Sequence, residues 1–498
     1  MKKIYKISLI FATVVLCSCG NDWLNLEPPT AVSTEKSIQN LRDAQASVIG
    51  LYYMIASGAP DASGNYEGWG AIFMFMGDVG GDDMRANGAT KRTTPSYSYR
   101  YTPLTVPSTT WNLPYRILRN ANNILNIIDN IEVRESERAD LDWVKGQALA
   151  IRALCHFTLA NVFGYPYMKD NGASLGAPLA MESISTNAKP ERNTVREMYD
   201  AIEQDLLASI PLMKAPAAQT IGQMNKLAAQ QLLARVYLYR GEWQKAYDMA
   251  KAVIDGASAA GYRLFTQAEY ISRAAWKTKN LAEGLFTLQF GDVNQSDNTC
   301  VPFLLNDNTD GYDDYVYTTH FYNLWAEGDI RKESVTKILP GSNSAPFNNY
   351  YCVKYGGVMS PTEGKVRQSN IPILRLTESY LIAAEASTHL PSAATQGLAY
   401  YNAIHTRAGL EAKTSITLDD VLEERRFELV GEGHRKYDLL RNGKTIVRSI
   451  DQDVAFFVNE ISEANGNVSL DWSNPRIVWP IPNAELDVNP NIKQNPLP

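Results

Sequence analysis

Apolar residues return at intervals of three and four through most of this chain, a spacing that gathers them on one face of an α-helix. Ser37 to Ile55 carries such a stripe in Leu41, Ala44, Val48, Leu51 and Ile55. Trp111 to Ile128 repeats it with Leu118, Ala121, Leu125 and Ile128, and Val144 to Phe163 with Leu149, Ala153, His156, Ala160 and Phe163. Thr194 to Leu207 places Val195, Met198, Ile202 and Leu206 in the same way. Leu227 to Asp255 reads as two helices divided at Arg240-Gly241-Glu242, the second lined by Trp243, Ala246, Tyr247, Ala250 and Ile254. Helical spacing returns at Pro372–Ala386, Leu398–Ala408 and Leu418–Asn442, the last opened by a capping sequence, Thr417-Leu418-Asp419-Asp420. Helices with one apolar face must bury it on one another, so the chain is expected to be mainly α. Small Ala at crossings, Gly241 at a turn and aromatic wedges make Ala234–Ala246 look like a helix-turn-helix of the tetratricopeptide kind, with any further copies degenerate.

Between about Gly261 and Ile371 the helical spacing weakens. Gly, Asn, Asp, Thr and Tyr accumulate there, as in Asn294–Thr319 and Gly341–Tyr355, which predicts loops with short strands or helices. Long loops in a compact domain usually carry function. The chain is thus expected to divide into a helical region over 37–260 and a second region over 261–498, loop-rich to 371 and closed by helices. With 498 residues, 45% hydrophobic and 20% charged, it has the composition of a folded protein with a large core. A net charge of −7 without a long basic run argues against a nucleic-acid partner.

The N-terminus sets an address. Lys2, Lys3 and Lys6 precede an apolar run, Ile7–Leu16, that is shorter than the ~20 residues a spanning helix needs. This is the pattern of a secretion signal. The run ends in Leu16-Cys17-Ser18-Cys19, which resembles a bacterial lipobox with cleavage after residue 18 and acylation of Cys19. Several acyl chains on one Cys, palmitate among them, would anchor stably, whereas a single chain holds only marginally. Residues 19–36 read as a lipidated tether. Removing three lysines and no acid takes the net charge from −7 to −10.

Three groups of residues carry candidate chemistry. The first is Gly77–Arg85, with Asp78, Asp82, Asp83 and Arg85 in a Gly-rich loop. Hydrogen bonds to sugar hydroxyls, a solvated turn and a calcium site all remain open for it, although its spacing is not that of an EF-hand. No cofactor is expected. The second group is aromatic. Tyr66 and Trp69 precede the acidic loop; Tyr97, Tyr99 and Tyr101 alternate, which on a strand would turn them to one face. Tyr312, Tyr315, Tyr317, Tyr322 and Trp325 follow in the loop-rich region. Flat rings stack on the C–H faces of sugars while Asp, Asn and Arg bond their hydroxyls; the competing use for each ring is packing under loops. The third group, Glu424–Arg441, alternates acids and bases and is expected to form a structural ion-pair network, with Arg425 acting mainly on stability. Cys155, Cys300 and Cys352 are expected as small buried residues. His156, on an apolar face, is expected in the core. No GxSxG, HExxH or Cys–His arrangement occurs, so binding is expected rather than catalysis. A glycosidase pair of carboxylates needs only proximity in space and stays open as a lesser alternative.

Segments in order along the chain resemble the SusD/RagB family of nutrient-uptake lipoproteins. They include Cys19 with Asp22-Trp23-Leu24 and Pro28-Pro29, and Trp111–Ile117 with Ala121-Asn122. Gln147–Ala153 through Phe163–Pro166, Leu374–Glu378 through Ala386, and Tyr401–Leu410 continue the likeness. The most specific stretch is Glu424-Arg425-Arg426-Phe427-Glu428-Leu429 with Gly433-His434-Arg435, Asp438-Leu439 and Arg441. Pro480-Ile481-Pro482 and Gln494-Asn495-Pro496 resemble the family's end. The resemblance implies a SusD-like fold of four tetratricopeptide-like helix pairs with an irregular ligand-binding part. It also implies a cell-surface lipoprotein of the outer membrane that hands a glycan to a SusC-type TonB-dependent transporter, over which it sits like a lid. A helical-repeat receptor for peptide or protein is the alternative. On this resemblance the ligand is expected at Trp69, Asp78, Asp82, Asp83, Arg85, Tyr97, Tyr99, Tyr101, Tyr312, Tyr315 and Trp325.

Overall fold

The structure, a computed structural model, describes residues 38–57, 68–183, 185, 187–216, 222–277, 281–290, 300–307, 311–340, 348–356, 366–448 and 468–497. The leader over 1–18, Cys19, the tether to residue 36 and Tyr66 lie outside these. The longer helices are α1 (Leu41–Ser57), α2 (Ile72–Val79), α3 (Thr109–Ile127), α4 (Arg138–Phe163), α5 (Val195–Ser209), α6 (Lys226–Arg240), α7 (Trp243–Ala257), α8 (Leu376–Ser387), α9 (Ala394–His405), α10 (Leu418–Glu428) and α11 (Arg435–Arg441). From α3 to α9 each helix packs on the next, and α1 lies against α3 and α4. The fold is mainly helical, as the apolar spacing requires.

Local chemistry explains the best-defined boundaries. Gly241 is left-handed at φ 73°; its N–H reaches the carbonyl of Leu238, and the N–H of Glu242 reaches that of Tyr237. These two bonds form a Schellman stop that ends α6 where glycine escapes the Cβ penalty. Thr194 caps α5: the Glu197 N–H donates to its Oγ1 at 3.2 Å, and its own N–H donates to Glu197 Oε2 at 2.8 Å.

Strands are short: β1 (Met84–Ala86), β2 (Gly284–Leu288), β3 (Tyr315–Tyr317), β4 (Thr336–Leu339), β5 (Asn349–Cys352), β6 (Ile371–Arg375), β7 (Ile446–Arg448) and β8 (Val468–Leu470). They form an antiparallel sheet ordered β1-β3-β5-β4 and two two-stranded ribbons, β2-β6 and β7-β8. One apolar cluster extends from Ile38 to Ile492, so the loop-rich part and the helices share a core.

Three local expectations fail. Residues Pro372 to Arg375 belong to β6, and the helix starts only at Leu376; β-branched Ile371 and Ile373 flank Pro372 in a strand that pairs with β2. The single helix expected over Leu418–Asn442 is two, α10 and α11, parted by left-handed Gly431 (φ 76°) and Gly433 (φ 80°). Tyr97, Tyr99 and Tyr101 share no strand: Thr94–Tyr97 is a short helix, and Tyr99 has φ 53°.

Candidate functional site

The acidic loop is consumed by a junction. Gly77, in α2, meets the α10–α11 break so closely that a Cβ on it would stand 1.9 Å from the Gly433 carbonyl oxygen. Asp78 Oδ1 accepts the Gly433 N–H at 2.8 Å. Arg435 grips Asp82 through Nε at 2.6 Å and Nη2 at 3.0 Å, and Arg426 pairs with Asp83. Behind them Arg448 donates to the carbonyls of Gly81 and Val79, both at 2.7 Å, and to that of Tyr97. Burial pushes the Asp78 carboxyl well above its ordinary range against the Gly433 N–H. Burial also works to raise Asp82, but Arg435 and Arg426 outweigh it and leave that carboxyl lowered. Asp78, Asp82 and Asp83 are therefore corrected from ligand contacts to the latch between α2 and α10–α11. Among the described residues no group of three or more His, Cys, Asp or Glu is arranged to hold a metal ion.

The charge cluster continues inward as the expected ion-pair network. Glu428 accepts from Arg375 at 3.0 Å, from Arg331 at 3.1 Å and from the Tyr270 hydroxyl at 2.7 Å, and pairs with Arg407 at 2.7 Å. Arg375 also binds Glu283 at 2.6 Å and Glu432 at 2.8 Å. Arg425 binds Asp438 at 2.8 Å, and Arg441 binds Asp438 and Glu385. All of these side chains are buried or nearly so. Charges this deep are tolerated only when paired.

Most of the expected rings are buried too. Tyr97, Tyr99, Tyr315 and Trp325 are at most 5% exposed, which leaves no free face for a sugar. Tyr97 and Tyr99 cover the Arg448 guanidinium at 4.3 and 5.3 Å, Trp325 packs on Phe427 at 4.5 Å, and Tyr315 opens β3 fully buried. Half-buried Tyr101 packs on Trp479 at 4.4 Å. Tyr322 stacks on Tyr350 at 4.1 Å. Trp69 is buried and edges a separate cleft. Cys155, Cys300 and Cys352 are buried, and His156 is fully buried with Nε2 accepting the Ala180 N–H at 3.1 Å.

What the sheet does bring to the surface is Tyr312, beside half-buried Asn87, Asp313 and Asn349, with Arg85 buried behind them. Antiparallel pairing sets Arg85 opposite Val316, next to the loop before β3. Arg85 donates from Nη1 to Asn87 Oδ1 at 2.9 Å and from Nη2 to Asn349 Oδ1 at 3.0 Å. Asp313 accepts from Asn87 Nδ2 at 2.5 Å and from the Tyr351 hydroxyl at 2.6 Å, and holds φ 51°, a strained backbone for a residue other than glycine. Its neighbour Tyr312 is 39% exposed and braced edge-on by Phe303 at 4.7 Å. Lys91 donates to the Tyr312 carbonyl at 2.9 Å. An accessible ring beside amide and carboxylate groups can stack on one face of a ligand and hydrogen-bond its edge, while buried Arg85 orients the two amides. Asn87, Asp313, Asn349 and Tyr351 escaped sequence reasoning; their signal was proximity to Arg85 and Tyr312.

Comparison with known proteins places this architecture. A family model described as the SusD family matches residues 290–497, and one described as starch-binding associating with outer membrane matches residues 22–238. A crystal structure of a SusD superfamily protein from Bacteroides vulgatus superposes with TM-score 0.80 at 34% identity, covering 92% of this chain and 99% of that one. The chain belongs to the SusD family. SusD-like protein P25 from Formosa agariphila is 23% identical over 98% of this chain and 97% of its own length. The SusD fold also appears in surface glycan-binding protein A from Bacteroides thetaiotaomicron, solved in complex with laminarihexaose, at TM-score 0.70 and 19% identity over 91% of this chain and 99% of that one. The SusD-family stretch Glu424–Arg441 is thus, in this chain, the charged latch and network just described.

Proposed function

We propose that this protein is a lipoprotein of the outer-membrane surface, anchored through Cys19, that captures a glycan and delivers it to a SusC-type TonB-dependent transporter. The observation that carries the binding part is the Tyr312 patch: an exposed, braced ring whose neighbour Asp313 belongs to a hydrogen-bonded group with Asn87, Asn349 and buried Arg85. That combination suits a sugar, whose apolar face stacks while its hydroxyls exchange hydrogen bonds with amides and charged groups. Family membership supports the same reading, as does the outer-membrane description of the model that residues 22–238 match. The leader and lipobox supply the address. Of the residues expected from sequence, Tyr312 lies at this site, and Arg85 holds its amides from the interior.

The test is affinity electrophoresis of the full-length protein through gels containing a panel of polysaccharides. At least one should retard the wild type, and Tyr312→Ala should be retarded clearly less by it. Shortened glycan products after incubation would overturn the receptor reading in favour of hydrolysis. Cys19→Ala should release the protein from membranes, and tagged wild type should co-purify a TonB-dependent transporter.

A further inference from the structure

The surroundings of Tyr312 carry a charge that the sequence did not single out. Lys91 and Arg92 lie between β1 and the short helix Thr94–Tyr97. Their stretch of chain is fastened to the approach to β3. The Asn87 N–H donates to the Asp314 carbonyl at 2.8 Å. The Asp314 carboxylate accepts from the Arg92 N–H at 3.0 Å, the Thr93 N–H at 2.9 Å and the Thr93 hydroxyl at 2.6 Å. The Arg92 backbone is thus held, while its side chain is exposed and sets the guanidinium 5.6 Å from the centre of the Tyr312 ring.

The charges around this ring divide by sign. The described acids are committed to donors of the protein itself. Asp313 takes Asn87 Nδ2 and the Tyr351 hydroxyl and lies 3.6 Å from Lys91 Nζ. Asp314 is buried and spent on the bonds just given, and Asp307 is buried and paired with Lys337. Among the cations, Lys91 is partly used, since it also donates to the Tyr312 carbonyl at 2.9 Å. Arg92 is different: its guanidinium meets no acceptor among the described residues and touches only the π face of Tyr312. A cation over a ring keeps its N–H donors free for something else.

A ligand that stacks on Tyr312 passes beside those donors. A neutral sugar would gain ordinary hydrogen bonds from them. A carboxylate or sulfate would gain charge-assisted bonds, two at once from the guanidinium fork and each about twice as strong. A cationic ligand would meet Arg92 and no uncommitted carboxylate. The chain as a whole has a net charge of −7 and repels polyanions at long range, so attraction to one has to come from a local group such as Arg92.

We infer that the Tyr312 patch selects an anionic glycan, bearing uronate carboxylates or sulfate esters, with Arg92 pairing to the anion while the sugar ring stacks on Tyr312. The inference rests on the glycan reading above and adds the charge of the ligand to it.

The experiment is affinity electrophoresis of the full-length protein in detergent. The gels contain polygalacturonate or alginate as uronates, carrageenan as a sulfated glycan, or the neutral polymers dextran and xylan. Each acidic polymer is run again after its charge is removed, by carboxyl reduction or by desulfation. At least one acidic polymer should retard the wild type, and its neutralised form should retard it far less. Retardation by the uronates alone names a carboxylate, and by carrageenan alone a sulfate. Arg92→Gln should weaken binding to the acidic polymer about tenfold, with the melting temperature and the response to the neutralised polymer unchanged, and Arg92→Lys should recover part of the loss. The inference is overturned if only neutral polymers retard the wild type, if removing the charge changes nothing, or if Arg92→Gln weakens acidic and neutralised forms alike, which would assign Arg92 to bracing Tyr312. These outcomes leave glycan capture standing. Retardation by acidic gels that Tyr312→Ala does not reduce would mark ionic adsorption and also overturn it. Retardation by no polymer of either kind would sink the proposed function, and this inference with it.

Discussion

Two regions of this molecule are built from the same residue types and do opposite things. The latch and network around Asp78, Asp82, Asp83, Glu428 and Arg435 combine Asp, Glu, Arg and Tyr in the interior, with the charges matched. The patch around Arg85 and Tyr312 combines Asp, Arg, Asn and Tyr at the end of a small sheet, with one ring facing water. Composition does not separate them. Burial does: inside, a pair must satisfy itself or destabilise the fold, whereas at the rim the Tyr312 ring keeps a face open to water.

The largest effect should come from breaking the interior. Glu428→Ala leaves Arg331, Arg375 and Arg407 without their shared carboxylate and should cost about 3–5 kcal/mol in denaturant unfolding, or prevent folding. Arg425→Ala should likewise lower the melting temperature. An unchanged melting temperature with lost glycan binding would erase the distinction between the two regions.

Acid should act next, again on the interior. Burial pushes His156 down to about 3 and His434 to about 4, against about 6.5 in the unfolded chain. Between pH 6.5 and 4.5 the unfolded chain takes up protons that the fold refuses, so stability falls as pH falls. Each histidine should remove about 2–3 kcal/mol across that window. The Glu378 contribution lies lower: burial works to raise its carboxyl, Arg235 outweighs that and holds it at about 2, and the stability is lost only as pH falls below about 4.5. Urea midpoints measured between pH 7 and 4.5 check this, and His156→Gln should flatten the slope. A flat wild-type profile would mean that His156 and His434 are not buried and uncharged.

At the rim, Tyr312→Ala should weaken glycan binding about tenfold, roughly the ~1.4 kcal/mol of one stacked ring, with little change in melting temperature. Retardation unchanged in the gel would remove the patch from the binding site. The smallest effect is a control remote from both regions: Thr194→Ala opens the α5 capping box and should cost about 1 kcal/mol in unfolding, with glycan binding intact.

Where sequence reading succeeded, the interactions are short in range. The stop at Gly241 was legible because a Schellman turn involves only the residues around it. The split of Leu418–Asn442 was not, because left-handed Gly433 answers to the approach of Gly77 and left-handed Gly431 to that of Cys352, which only the folded chain supplies. The cluster in α10–α11 was legible as structural, but its partners Asp82 and Asp83 lie 353 and 343 residues away from Arg435 and Arg426. The alternating tyrosines misled for a related reason: period two implies one face only on a strand, and the turn at Tyr99 is held by Arg448.

By itself, then, the sequence determined the mainly helical frame, the caps and turns that punctuate it, the segments that mark it as a SusD relative and the address pattern ending at Cys19. These rest on period, composition and contacts within a few residues. Only the tertiary structure decided which Asp, Arg and Tyr meet each other and which meet a ligand. That choice turns on burial, and burial is created by segments that are hundreds of residues apart in the chain.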